Sequence, residues 1–311
     1  MKVLKFGGTS VGSPARIKHV AGLVRRSGRN IVVLSAMSGT TNTLVEIAEY
    51  LHKGNIPGAQ ETVNVLAAKY SQVVYELLSD EASRQAATAA IERSFAIIRS
   101  YFSEPFTEAG EKEILAQGEL VSTALMSAYL SEQGVWVSVL PALDYMRTLP
   151  GGEPDMPHIS ARLHRILEVE GEADVYITQG YICRNATGGI DNLRRGGSDY
   201  TASIIGAVLN AEEIQIWTDI DGMHNNDPRF VEGTSPVGTL HFEEAAELAY
   251  FGAKILHPAC VLPAKLHNIP VRLLNTLEPE APGTLIFNTP PDGAIKAVAA
   301  KDGITAIKIK S

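Results

Sequence analysis

Apolar positions along the first part of the chain alternate between short solid runs and helical spacing. Lys2-Val3-Leu4-Lys5-Phe6 is an apolar run with one central lysine, and it opens without a gap into Gly7-Gly8-Thr9-Ser10-Val11-Gly12-Ser13. It reads as a buried strand. Ser13 and Pro14 supply an N-cap and a first helical residue, which predicts a helix over about 14–26. Ile31-Val32-Val33-Leu34 is continuous in the way of a strand covered on both faces, so the three elements make a β-α-β unit with parallel strands. Leu44, Val45, Ile47, Ala48 and Leu51 then recur at helical spacing, with Thr40 or Thr41 as a plausible cap. Residues 60–134 read as helix almost throughout, broken near Ser79-Asp80 and Ser103-Glu104-Pro105. Strands resume at 135–139 and 174–178 around a helix at about 160–170. A further helix carries Ile204, Ile205 and Val208, with Ser198 or Asp199 as its cap, and Glu213-Ile214-Gln215-Ile216-Trp217 is one more strand. Strands alternating with helices predict an α/β fold whose sheet keeps growing along the chain.

Composition narrows what such a sheet serves. With 311 residues, 45% hydrophobic and 20% charged, the chain is long enough for one large α/β domain or two lobes. A net charge of -8 argues against a nucleic-acid or anionic-membrane surface, so cations gathered in one cleft are local features. Cys183 and Cys260 are the only cysteines and suggest neither a disulfide framework nor a metal cluster. No signal peptide precedes Lys2 and no apolar run approaches membrane-spanning length, so the expected location is cytoplasmic.

Candidate chemistry sits where strands end. Paired glycines and hydroxyls after the first strand suit an anion-binding turn, with Lys5 at the mouth of the sheet. The turn is not a P-loop, because Ser13 stands where that motif needs lysine, and it contains no G-x-G-x-x-G. An ordinary strand-to-helix turn with a surface lysine is the competing reading. Ser35-Ala36-Met37-Ser38-Gly39-Thr40-Thr41-Asn42 lies at the same sheet edge, where open α/β sheets collect ligands. In Gln117-Gly118-Glu119 a glycine interrupts a good helix at a cost of about 1 kcal/mol, which points to close approach by a ligand or another backbone. Leu193-Arg194-Arg195-Gly196-Gly197-Ser198-Asp199-Tyr200-Thr201 is another anion-ready helix start with fixed cations beside it. Thr218-Asp219-Ile220-Asp221-Gly222-Met223-His224-Asn225-Asn226-Asp227-Pro228-Arg229 is a polar loop with a strong turn signal at Asp221-Gly222, and Phe251-Gly252-Ala253-Lys254 offers one more lysine.

Taken together these segments resemble the aspartate kinases within the amino acid kinase fold, and the resemblance covers essentially the whole chain. It is carried by Lys5-Phe6-Gly7-Gly8-Thr9-Ser10, Ser35 with Thr41-Asn42, Gly118-Glu119, Arg195-Gly196-Gly197-Ser198-Asp199-Tyr200-Thr201, Trp217-Thr218-Asp219, Asp227-Pro228-Arg229 and Phe251-Gly252-Ala253-Lys254 through Pro258, in the family's order. The resemblance implies a three-layer αβα sandwich around a mostly parallel central sheet. It implies a catalytic domain over 1–291, with an amino-acid-binding lobe to about residue 200 and a nucleotide-binding lobe from about 201 to 291. The implied reaction is ATP plus L-aspartate giving 4-phospho-L-aspartate and ADP, with Mg²⁺, at the head of the route to lysine, threonine and methionine; a homo-oligomer is allowed. By resemblance Lys5 meets the transferring phosphoryl group and Asp199 orders the site's lysines. Ser35, Thr41, Glu119, Arg195 and Ser198 hold the amino acid, Arg195 at its α-carboxylate and Glu119 at its ammonium. Lys5, Gly7, Gly8, Thr218, Asp219, His224, Arg229 and Lys254 hold the nucleotide, and no protein side chain is assigned to metal. His224 stands where the family leads one to expect an aromatic residue, and Ile190-Asp191-Asn192-Leu193-Arg194 departs from a commoner hydroxyl-rich, glycine-containing segment.

Two alternatives stay open. Another enzyme of the fold (acetylglutamate, glutamate 5- or carbamate kinase) would change the acceptor, although N-acetylated or non-amino acceptors offer no ammonium for Glu119. A non-catalytic binding or regulatory subunit would have no use for Lys5 and Asp199. After Pro290-Pro291-Asp292-Gly293, which reads as a linker, two strand-like runs at 294–300 and 304–309 flank the turn Lys301-Asp302-Gly303. By resemblance 292–311 is the opening of an ACT-like regulatory region. Two short strands cannot bury a face of their own, so the expectation is a catalytic core without end-product feedback.

Overall fold

Alternation along the first strand sets the layers of the molecule. In β1 (Lys2–Phe6) the side chains of Leu4 and Phe6 join one buried cluster and Val3 joins another on the opposite face. β2 (Asn30–Leu34) repeats this, with Val32 and Leu34 on the first side and Ile31 and Val33 on the second. Helices cover both faces, as a run buried on both sides requires. The computed structural model describes residues 1–194, 196–227, 230–251, 256–288 and 295–299.

The first face is closed by α1 (Pro14–Arg26), α2 (Thr40–His52), α3 (Ile56–Leu77), α4 (Glu81–Ser100) and α5 (Glu108–Glu132). Ser13 caps α1 as its sequence predicts, its hydroxyl accepting from the Arg16 amide, with Pro14 in the first turn. The two predicted breaks in the helical stretch are where Asp80 and Thr107 cap α4 and α5. β3 (Val137–Leu140), α6 (Ala142–Tyr145), α7 (Met156–Glu170) and β4 (Val175–Gln179) follow, then a hairpin of β5 (Ile182–Arg184) and β6 (Ile190–Asn192). α8 (Gly197–Val208), β7 (Ile214–Thr218), β8 (Thr239–His241), α9 (Phe242–Phe251), a 3₁₀ turn at Pro258–Val261, α10 (Leu262–Leu266), β9 (Val271–Asn275) and β10 (Thr284–Phe287) complete the described elements. The second face buries residues of α6 to α10 against the sheet.

Eight strands run in the order β3-β4-β2-β1-β7-β9-β10-β8. All neighbouring pairs are parallel except β9 with β10, so the sheet is mostly parallel and the expected three layers are present. β1 lies inside it, paired with β2 on one side and β7 on the other.

Three local expectations are corrected. Neither Thr40 nor Thr41 caps α2; the cap is Gly39 at φ 82°, and the Thr40 hydroxyl meets that of Tyr70 at 2.7 Å. Neither Ser198 nor Asp199 caps α8, which starts behind Gly196 at φ 72° with no side-chain cap bond. Residues 295–299 form no strand. The Val298 amide donates to the Asn225 carbonyl (2.9 Å) and Lys296 pairs with Glu244 (3.0 Å), so this stretch lies on the core as an irregular segment. The predicted linker at 290–293 and the run at 304–309 lie outside the described residues.

The glycine inside α5 has the predicted reason. A Cβ on Gly118 would stand 2.8 Å from the Cβ of Ala36, so the helix passes the loop after β2 with no room for a methyl group. Alanine is the better helix former by about 1 kcal/mol, yet Gly118→Ala should lower the melting temperature, because overpacking costs about 1–3 kcal/mol. Thermal denaturation checks this; a higher melting temperature would mean that the Ala36 loop yields freely.

Candidate active site

β1 and β2 end at one sheet edge, and the loops beyond them touch. The Ser35 amide donates to the Phe6 carbonyl (3.2 Å) and the Ser38 amide to the Gly8 carbonyl (3.1 Å). A Cβ on Gly8 would fall 2.6 Å from the Ala36 carbonyl oxygen, so only glycine fits this approach of backbone to backbone. Gly7 has its amide engaged with the Trp217 carbonyl at 3.2 Å, which ties the turn to the end of β7.

Period-two alternation puts Lys5 on the Val3 face, where α8 packs. Its Nζ stands 2.7 Å from Oδ1 of Asp199, with each side chain 12% exposed. The contact is a charge pair without the angles of a directed hydrogen bond. Asp199 lies in the first turn of α8, where the unpaired amides favour a negative charge. Because Gly196 supplies the cap, the side chains of that turn are free for other contacts, and the Ser35 hydroxyl donates to Ser198 Oγ at 3.0 Å.

α5 brings the third component. Glu119 is 4% exposed, and its Oε1 accepts from the Ala36 amide at 3.1 Å. Its Oε2 is buried without a hydrogen-bond partner. Burial pushes the carboxyl up to about 8, against the smaller opposing effect of the Ala36 amide. An acid in this condition accommodates a proton or a cation delivered by a ligand.

Lys5, Gly8, Ser35, Thr41, Glu119, Ser198 and Asp199 share the lining of one cleft of about 740 Å³. Thr218 and Asp219 do not line it. They border a smaller hollow of about 140 Å³ with Ser10, Arg16, His19 and Thr276, and the Thr218 hydroxyl donates to Asp219 Oδ1 at 3.1 Å. His224 is clamped, with Nε2 2.7 Å from Asp221 Oδ1 and Nδ1 2.8 Å from Thr234 Oγ1, and it is absent from the cleft lining. Arg195, Arg229 and Lys254 lie outside the described residues.

Tyr181, Asn192 and Arg194 line the cleft as well and escaped the sequence reading as site residues. Tyr181 stands two residues past the end of β4, behind Gly180 at the ligand-collecting edge, and that position is the signal that could have found it. Arg194 belongs to the Leu193–Thr201 segment, but a one-dimensional pattern does not separate a lining residue from a spacer. Both adopt left-handed backbone, at φ 68° and 61°.

The sequence profile of the amino acid kinase family matches residues 1–275. Lysine-sensitive aspartokinase 3 of Escherichia coli (strain K12) is 34% identical over 318 residues, covering 99% of this chain and 69% of that protein. Chloroplastic aspartokinase 1 of Arabidopsis thaliana is 33% identical over 323 residues, covering 99% of this chain and 56% of that protein. The solved structure of E. coli aspartokinase III in complex with aspartate and ADP (R-state) superposes with a TM-score of 0.82 at 33% identity, over 94% of this chain and 65% of that one. The chain thus spans only part of the length of these relatives.

Glu119 makes stability depend on pH with a definite sign. Its folded value near 8 lies above its ordinary value, so the folded state holds more protons than the unfolded one across that interval. The stability this provides is full below about pH 4.5 and is lost as pH rises through about 8. The melting temperature of the ligand-free protein should therefore fall between pH 5 and 8.5, and Glu119→Gln should flatten that fall. Equal slopes for the two proteins would contradict an unpaired buried carboxyl.

Proposed function

Because this chain belongs to the amino acid kinase family, and within it to the aspartokinases, we propose that it transfers the γ-phosphoryl group of ATP to the side-chain carboxylate of L-aspartate, giving 4-phospho-L-aspartate and ADP. One observation carries the reading: a buried acid with one oxygen unpartnered, Glu119, shares a cleft with the Lys5–Asp199 charge pair. The first suits an ammonium and the second a phosphoryl group. The similar E. coli enzyme was solved with aspartate and ADP, the matching acceptor and product.

The chemistry asks little of acid–base catalysis. The acceptor is a carboxylate already ionised at neutral pH, so no general base is needed, and what must be overcome is repulsion between two anions. Positioning and fixed positive charge supply most of the acceleration in phosphoryl transfer. Lys5 stabilises charge building on the transferring group, and Asp199 holds the Lys5 ammonium in place. Glu119 takes the ammonium of aspartate and Arg195 its α-carboxylate, with Ser35, Thr41 and Ser198 donating to the remaining oxygens. Gly7 and Gly8 let the backbone approach the phosphates, and Thr218, Asp219, His224, Arg229 and Lys254 serve the nucleotide. Among the described residues no cluster of three or more acids, histidines or cysteines could hold a metal ion, so Mg²⁺ would be carried by ATP, where it would offset phosphate charge. Among the described residues no helix is long and apolar enough to cross a membrane.

A coupled ADP-release assay across L-aspartate, N-acetylglutamate and L-glutamate tests the reaction, and turnover is expected with aspartate alone. Preference for another acceptor, or no turnover at all, would replace it with one of the other readings. Lys5→Ala should lower turnover by about 10²-fold or more, the scale of one preorganised charge stabiliser. Its melting temperature should fall too, since Asp199 loses its partner, so native circular dichroism must accompany the measurement. A folded Lys5→Ala protein with near-normal turnover would remove Lys5 from the site.

A further inference from the structure

Arg194 combines a costly backbone with an unused side chain. Its φ of 61° lies in the left-handed region, where glycine rests easily and an L side chain does not. The surroundings impose that conformation. The Arg194 amide donates to Asn192 Oδ1 (3.1 Å), its carbonyl accepts from the Gly197 amide (3.0 Å), and the neighbouring Leu193 is buried with its amide on the Tyr181 carbonyl (2.8 Å). Yet the exposed guanidinium makes no hydrogen bond or ion pair among the described residues, and the residue lines the cleft. A strained position that keeps an unpartnered cation points to a ligand for it.

The side of the cleft decides which ligand group. Arg194 ends the segment that leaves β6, and β6 is tied to α5 by Lys112, whose Nζ is 3.3 Å from Asp191 Oδ1. Lys112 stands two turns before Glu119 on that helix. Tyr181, whose carbonyl accepts from the Leu193 amide, lines the cleft together with Glu119. The Arg194 rim therefore belongs to the Glu119 end of the cleft. An amino acid carries its ammonium and α-carboxylate on one carbon, so a cation for the carboxylate must stand beside the acid for the ammonium.

We propose that Arg194 is a specificity-determining residue, its guanidinium adding a second fork on the α-carboxylate of the amino acid whose ammonium meets Glu119. This rests on the aspartate reading above and adds a residue to the role given to Arg195. Arg194→Gly separates the two demands on the position, because glycine relaxes the backbone while removing the fork.

The experiment measures steady-state ADP release and thermal melting for the wild type, Arg194→Gly and Arg194→Lys, with β-alanine as a competing acceptor analogue that has the ammonium and the reacting carboxylate but lacks the α-carboxylate. Arg194→Gly should melt at the same or a higher temperature and need about tenfold more aspartate or beyond, the scale of a lost charge-assisted hydrogen bond. Its kcat, its KM for ATP and its β-alanine inhibition constant should stay as in the wild type, and Arg194→Lys should fall between. An unchanged aspartate KM overturns the assignment. So does a rise shared with ATP or with β-alanine, or a rise accompanied by a lower melting temperature, which marks a structural role. A wild type that neither binds nor phosphorylates aspartate overturns the aspartate reading itself, and this assignment with it.

Discussion

The contact between Lys5 and Asp199 is the constraint on which the arrangement rests. Two opposite charges sit together in a place where each alone would forfeit several kcal/mol of hydration. Their 2.7 Å approach holds the end of an internal strand to the first turn of α8. Once that distance is set, the glycine turn after β1 and the Gly196-Gly197 turn before α8 must border the same space, and Ser35 meets Ser198 between them. Removing either charge would leave the other buried and unpaired, so the site and the local fold share one interaction.

Glu119 shows the opposite solution to the same problem. Asp199 stands beside the Lys5 ammonium, whereas Glu119 is buried with one oxygen unpaired, and burial pushes its carboxyl up to about 8. Two acids in one cleft with such different surroundings are fitted for different partners. One is already matched within the protein, and the other is completed by an ammonium from outside. Gly118, with no side chain to fend off the Ala36 loop, brings Glu119 close enough for the Ala36 amide to hold its first oxygen.

Long periodic elements were legible in the amino-acid sequence because their signal accumulates over many residues. β1, α1 and β2, and the three helices from Ile56 to Glu132 with their breaks, follow from spacing and caps. The β5–β6 hairpin and β8 have strands of three residues, too short for any period to show, whereas β9 and β10, of five and four residues, passed unnamed although their length matches that of strands that were read. The helix starts were misjudged where the residue type was right and the position wrong. Gly39 and Gly196 end the preceding loops in left-handed backbone, so the hydroxyls and the acid just behind them are released from capping. Residues beside a glycine turn could be picked out as candidates for the cleft. Arg194 could not, since its place on the rim goes with a positive φ that no residue pattern signals for an arginine.

The order of strands in the sheet differs from their order along the polypeptide, and this bears on how the protein comes into being. β1 gains β2 as a neighbour almost at once, but its other edge waits for β7. About 180 residues separate the end of β2 from the start of β7. At the usual pace of translation, roughly 5–20 residues per second, the apolar edge of the earliest strand stays uncovered for about 10–40 s. A nascent chain of this fold thus carries an open pairing edge while these residues are made, and until Gly197–Val208 emerges the glycine turn and Lys5 have no α8 to meet.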